Sequence, residues 1–174
     1  MGVCNSVCSA LNSVDYCQLT ARENMLMEAV RTKNFREVER LLKSNVNANS
    51  GNPLYIAVEH KDIKIVDLLL KRRADLNLIE LYGTGLERYC IDSVMHAATC
   101  SYILERLLLA GGKINVRNMY CETPLMSYIR NGCDDCALYA ISKGANTKLR
   151  DINGKTALDY ARTYGRKEII KMLS

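Results

Sequence analysis

Three groups of residues in this chain have the types and spacing for chemistry. Cys133 and Cys136 form a C-x-x-C pair, half of what a structural metal site needs. The other half is missing at useful spacing, because the only histidines, His60 and His96, are distant in sequence, so no metal site is expected. The acidic pair Asp134 and Asp135 follows Cys133 directly. It reads as the first turn of a helix, where carboxylates complement the helix dipole, rather than as general acid and base. No Ser/His/Asp set or glycine-rich phosphate loop can be assembled. The expectation is therefore a non-enzymatic protein with no cofactor and no small-molecule substrate. The third group is the opening stretch, Met1-Gly2-Val3-Cys4-Asn5-Ser6.

That stretch fits the M-G-x-x-x-[ST] pattern of N-myristoylation. Removal of Met1 exposes the unhindered amine of Gly2, and small uncharged neighbours let it enter a narrow acceptor groove. Cys4 stands where dual-acylated proteins carry palmitate, with Cys8 and Cys17 as further candidates. One acyl chain gives marginal membrane binding and a second makes it stable. No charge precedes Asp15, which suits a segment pressed to a bilayer. Lipidation at Gly2, Cys4 and Cys8 is expected to hold the chain at the cytoplasmic face of a membrane. The alternatives are an unmodified tail or a short capping helix carrying Val7, Ala10, Leu11 and Val14.

Composition bounds the body behind this tail. A chain of 174 residues is one domain with a core, and 48% hydrophobic with 25% charged residues is ordinary globular content. Trp is absent and Phe35 is the single Phe, so packing rests on aliphatic residues, Met and ten Tyr. The formal charge of +5 is scattered along the chain, without the basic stripe of a nucleic-acid binder. The eight cysteines follow no apolar leader segment, and no apolar run approaches the roughly 18 residues of a spanning helix. The expected state is intracellular, with reduced thiols.

Two phrases recur along the chain. One is NMLMEA (Asn24–Ala29), NPLYIA (Asn52–Ala57), SVMHAA (Ser93–Ala98), TPLMSY (Thr123–Tyr128) and TALDYA (Thr156–Ala161). The other is an apolar block closed by a turn: VERLLKSNVNAN, IVDLLLKRRADLN, ILERLLLAGGKIN and CALYAISKGANTK, with IIKMLS at the terminus. The pairs Ala29/Leu41, Ala57/Leu69, Tyr128/Ala140 and Ala161/Leu173 are each 12 residues apart, and Ala98/Leu107 is three shorter. From Leu41 through Leu69, Leu107, Ala140 and Leu173 the steps are 28, 38, 33 and 33. A period near 33 with two helices per unit is the signature of a solenoid.

Local chemistry agrees with helix-turn-helix units. Thr123 and Thr156 are N-caps and Pro53 and Pro124 suit N1, while Thr20 and Glu23 read as a capping box. Asn45, Gly111 and Gly144 tolerate a left-handed residue after the second helix. Arg73 occupies the same place in the second unit, where it either bears strain or closes the helix differently.

These residues resemble ankyrin repeats, most clearly in KGANTKLRDINGKTALDYARTYGRKEIIKML. The resemblance implies an all-α ankyrin-repeat solenoid of about five helix-turn-helix units with short hairpin connections. The domain layout expected is a tail over 1–22 and a repeat domain over 23–174. Its units fall at about 23–49, 50–77, 93–115, 121–148 and 154–174, with an insertion over 78–92. His96 falls at the histidine of the family's T-P-L-H block, where the resemblance implies a structural hydrogen-bonding role. The chain ends at Ser174 within the second helix of the fifth unit, with Arg162, Arg166, Lys167 and Lys171 as a polar outer face. Output is then expected from binding or location.

The family's variable concave positions map by phase onto Arg31 and Thr32 in the first unit, and Glu59 and His60 in the second. The fourth offers Arg117, Met119, Tyr120, Glu122, Arg130 and Asn131. The fifth offers Arg150, Ile152, Lys155 and Tyr164. Arg, Tyr and Met are enriched in interface hot spots, and the basic members imply a protein partner with an acidic segment. The chain is similar to the short stand-alone ankyrin proteins of large DNA viruses such as poxviruses. That similarity implies a modulator of host signalling, of NF-κB type or in innate immunity, that sequesters its partner. The alternative is a soluble cytosolic or nuclear ankyrin adaptor or inhibitor without a lipid anchor.

Overall fold

The computed structural model describes residues 19–77, 79–82 and 89–174, with the backbone alone at 79–82 and 89–91. Ten helices lie among the described residues, in five pairs. These are α1 (Ala21–Arg31) with α2 (Phe35–Lys43), and α3 (Pro53–Glu59) with α4 (Ile63–Lys71). Then follow α5 (Val94–Ala97) with α6 (Ser101–Leu109), α7 (Pro124–Asn131) with α8 (Asp134–Ser142), and α9 (Ala157–Thr163) with α10 (Lys167–Leu173). The first helices of the pairs pack in the order α1, α3, α5, α7, α9, and the second helices in the order α2, α4, α6, α8, α10. This is the all-α repeat solenoid that the sequence implies: two layers, each helix packed on the neighbouring pair and, outside the third unit, on its own partner.

The recurring side chains explain the recurring helices. Thr20 accepts from the Glu23 N–H at 3.3 Å while Glu23 Oε2 accepts from the Thr20 N–H at 2.7 Å. Thr156 and Asp159 repeat that exchange at α9. Asn34 and Asp62 cap α2 and α4 through the N–H groups of Glu37 and Ile65. Each such cap satisfies a donor the helix leaves open and contributes about 1 kcal/mol. The second helices end on left-handed residues: Asn45, Arg73, Gly111 and Gly144 have φ of 58°, 58°, 95° and 84°. Arg73 therefore bears the strain, and the helix closes as in its siblings, with the Ala74 N–H donating to Leu69 O at 3.0 Å.

The core follows the repeat phase. Ala29, Ala57, Ala98, Tyr128 and Ala161 are all buried at the same place in successive units, as are Leu41, Leu69, Leu107 and Ala140 on the second helices. The third unit shows what its three missing residues cost. Its first helix, α5, is one turn long, and the chain leaves it extended at Ala98 and Cys100. Tyr128, the one large residue in the alanine series, compensates: its hydroxyl donates to the buried carbonyl of Met95 in that shortened helix.

The insertion over 78–92 contains a β-hairpin that composition alone does not announce. Strand β1 (Ile79–Tyr82) pairs antiparallel with β2 (Tyr89–Ser93), Tyr82 opposite Tyr89 and Ile79 opposite Ser93, with an irregularity between Ile79 and Leu81. β2 runs straight into α5, so the excursion is fastened to the third unit at its base. No helix among the described residues is long and apolar enough to cross a membrane.

Candidate partner-binding surface

The hairpin tips of the fourth and fifth units are built by one repeated device. Asn118 Oδ1 accepts from the N–H groups of Tyr120 and Glu122, both at 3.0 Å. Asp151 Oδ1 does the same with Asn153 and Lys155, both at 2.8 Å. Across each tip the backbone closes again, Asn118 N–H to Glu122 O and Asp151 N–H to Lys155 O. The two tips are joined by the Ile152 N–H donating to Tyr120 O at 2.8 Å. A side-chain acceptor within the turn replaces water for the tip's amides, so the tip is rigid.

Three large side chains stand out from these tips and the adjoining helix end: Tyr120 at 46% exposure, Ile152 at 62% and Tyr164 at 43%. Arg117 lies along them, its Nε donating to Cys121 O at 3.2 Å and its Nη2 to Arg150 O at 2.5 Å. Arg150 in turn donates to Gly154 O at 2.7 Å. Both guanidinium groups are tethered to backbone carbonyls, and among the described residues neither forms an ion pair with a carboxylate, although Arg150 acts on Asp159 at longer range. Most of their charge therefore stays available while their position is held. Tyr164 stacks on Tyr160, ring centroids 6.3 Å apart.

Beneath lies a buried polar network that sequence reasoning did not assemble. Glu122, 6% exposed, receives Arg130 Nη1 on both oxygens at 2.5 and 2.6 Å. The Tyr160 hydroxyl sits 2.6 Å from Glu122 Oε1 and 2.9 Å from Asp151 Oδ2. Its one proton serves both carboxylates, and burial, then those two neighbours, pushes the phenol's pKa up. Asn118 Nδ2 donates to Asp92 Oδ1 at 2.9 Å and to Glu122 Oε2 at 3.3 Å. His96, 3% exposed, donates from Nε2 to Glu122 O at 3.1 Å, since a carbonyl only accepts. Its Nδ1 then accepts from the Ser93 hydroxyl at 3.0 Å. The histidine thus has the structural hydrogen-bonding role the resemblance implies. A small cleft of about 140 Å³ opens between Arg130, Lys155 and Tyr164 above this network.

The expected contact residues therefore fall into separate places. Arg117, Tyr120, Arg150, Ile152, Lys155 and Tyr164 converge on the fourth and fifth units, with Met119 half-buried among them. Glu122 is buried and shapes that surface without forming it, and Arg130 is half-buried on Glu122. Asn131 is exposed but lines a different cleft, beside Cys133. Arg31, with Thr32, and Glu59 with His60 lie at the ends of α1 and α3. Lys33 Nζ joins those two ends by donating to His60 O at 3.1 Å. Asn118 and Asp151 were the missed signal: they lie one repeat period apart, each two residues ahead of a turn N–H it binds.

Asp134 and Asp135 occupy the first turn of α8, as read. Cys100, Cys133 and Cys136 are free thiols, whereas Cys121 is disulfide-bonded. The expectation of reduced thiols throughout is corrected at that position. Gly2, Cys4 and Cys8, the lipidation candidates, lie outside the described residues.

A rigid ridge of aromatic, aliphatic and cationic side chains on a stack of helix pairs defines a binding scaffold of the repeat-solenoid class. The family model for ankyrin repeats (three copies) matches residues 2–80 and 94–174, and the chain belongs to that family as a protein-interaction module. The gap in the match falls on the β-hairpin. The chain is 28% identical over 150 residues to the ADP-ribosylation factor GTPase-activating protein AGD4 of Arabidopsis thaliana, over 80% of this chain and 19% of that protein. It is 28% identical over 151 residues to the putative ankyrin repeat protein L371 of Acanthamoeba polyphaga mimivirus, over 83% of this chain and 19% of that one. It is also 28% identical over 154 residues to the putative ankyrin repeat protein FPV244 of Fowlpox virus, over 86% and 21%. The chain spans about a fifth of the length of these relatives.

Proposed function

We propose that this protein captures a partner carrying an acidic segment on the ridge of the fourth and fifth repeats. The reading is carried by one observation: Tyr120, Ile152 and Tyr164 are exposed beside arginines tethered to carbonyls instead of paired with acids. Apolar anchors supply affinity, and the available cations select and steer an acidic partner. The module acts by sequestering that partner rather than by catalysis. Acylation at Gly2 and Cys4 holds it at the cytoplasmic face of a membrane. Its supports are the M-G-x-x-x-[ST] motif and the neighbouring Cys4, whereas the Cys121 disulfide departs from a reducing location. Likeness to ankyrin proteins of Fowlpox virus and mimivirus supports a role in modulating host signalling, of NF-κB type or in innate immunity.

The test for the surface is affinity capture from expressing cells followed by identification of the partner and titration of the purified pair. Combined Tyr120→Ala, Ile152→Ala and Arg150→Ala should weaken binding at least about 100-fold, since anchors of this kind each contribute about 1–2 kcal/mol or more. Affinity should also fall as salt rises. Unchanged affinity in a folded triple variant places the contact elsewhere. Intact mass of chain expressed in eukaryotic cells tests the anchor. Two acyl adducts, with Gly2→Ala moving the protein from membrane to soluble fraction, are expected, and an unmodified N-terminus leaves a soluble adaptor.

A further inference from the structure

Cys133 and Cys136 take no part in the partner surface, yet their placement is specific. Cys133 is the N-cap of α8 and Cys136 stands at N3. The Cys136 thiol and backbone N–H both lie within hydrogen-bond reach of the Cys133 sulfur. A disulfide needs Cβ atoms about 3.5–4.5 Å apart and residues three apart on a helix stand about 5–6 Å apart, so closing the bond draws the first turn in by about 1–2 Å. The two thiols differ in access. Cys136 is fully buried, whereas Cys133 is partly exposed in the wall of a cleft of about 460 Å³ that Lys61, Thr99 and Asn131 also line. Cys133 Sγ donates to Thr99 O at 3.2 Å, and Thr99 Oγ1, buried beside it, has no hydrogen-bond partner. The cleft thus presents one nucleophile, one unpaired hydroxyl and room for a small polar molecule.

We propose that Cys133 and Cys136 are a redox-active dithiol, Cys133 attacking a low-molecular-weight disulfide in this cleft and Cys136 resolving the product. The Cys133 thiolate forms a bond to one sulfur of the disulfide, and the second sulfur leaves as a thiolate that takes up the Cys133 proton. Cys136 then loses its proton and attacks Cys133 Sγ, expelling the other half as a thiol. One disulfide and two cysteine thiols become one Cys133–Cys136 disulfide and two small thiols. The roles follow from access, and electrostatics supports them. The Cys136 thiol and backbone N–H hold the Cys133 thiol down to about 7, against burial and Asp135 and with help from Lys61. The Cys133 sulfur and burial push the Cys136 thiol up. Other charged or titratable groups facing the pair are Asp134, its ion-pair partner Arg166 at 3.6 Å, Cys100 and the buried phenol of Tyr128. The open N–H groups at the start of α8 favour a thiolate there.

The experiment uses the full chain, reduced mildly and then exposed to glutathione disulfide, with linkages located by peptide mapping. The expected product is a Cys133–Cys136 link with two glutathiones released per chain. Cys136→Ser should stop at a single glutathione on Cys133, and Cys133→Ser, in which serine remains a good N-cap, should form no link. Iodoacetamide at pH 7 should label Cys133 at least tenfold faster than Cys100, with a rate midpoint near pH 7. Glutathione on Cys100 in place of Cys133, or no 133–136 link in folded wild-type chain, overturns the proposal. The wild-type and Cys133→Ser results decide it even if Cys136→Ser does not fold.

Discussion

Tyr128 shows how one residue repairs a local defect. Four sibling units carry alanine at its place, yet here a phenol is fully buried and donates to Met95 O. The shortened α5 exposes that carbonyl to the interior, and a buried acceptor without a donor is costly. Tyr128→Phe should therefore destabilise the protein by about 1–3 kcal/mol, read as a lower urea midpoint with unchanged slope. Tyr128→Ala restores the family's residue but leaves a void, and should cost about 3–5 kcal/mol. A neutral Tyr128→Phe would mean that the hydroxyl matters little. At this scale the sequence was legible as a phase break, an aromatic among alanines. Its cause was not, because the partner carbonyl lies 33 residues away.

Elements in this fold succeed or fail at their ends. The second helices close through left-handed residues, and Gly111 and Gly144 take that conformation at no steric cost. Arg73, at φ 58°, pays about 1–2 kcal/mol for its Cβ. After allowing for the greater freedom of glycine in the unfolded chain, Arg73→Gly should stabilise by about 1 kcal/mol. Calorimetry should show Tm rising by about 2–4 °C, whereas an unchanged or lower Tm would assign the arginine a compensating contact. The caps were readable from Thr, Asn, Asp and Pro spacing because each acts within one turn. The pairing of β1 with β2 was not, since an antiparallel register depends on where the flanking units hold the two strands.

For the whole molecule, stability passes from unit to unit, because among the described residues each pair of helices packs chiefly on its neighbours. His96 is a fastening between the third and fourth units, and burial lowers its pKa despite Asp92 nearby. Glu122 and Arg130 also face it. An unfolded histidine protonates near 6.5, so as pH falls below that value the unfolded state binds the proton first. Stability from this site is full above about pH 6.5 and is lost as pH falls toward the lower folded value, by at most about 1.4 kcal/mol per pH unit. Carboxylates such as Glu23, held down by Ser50, act in a lower window, below their ordinary 4.5. Urea unfolding between pH 8 and 5 should show the loss, and His96→Gln should flatten it. An undiminished slope in that variant would place the titrating group elsewhere.

Period, cap chemistry and apolar phase determined the repeat architecture from sequence alone, because every unit obeys the same local rules and stacks on its neighbour. The concave positions were also named from phase. Only the tertiary structure decided which of them face solvent: it turned Glu122 inward against Arg130 and Tyr160, drew Asn131 to another cleft, and left Tyr120, Ile152 and Tyr164 exposed. It also gave the two sulfurs of C-x-x-C unequal access. Burial and hydrogen-bond partnership depend on residues a full repeat away, and spacing along the chain carries no record of them.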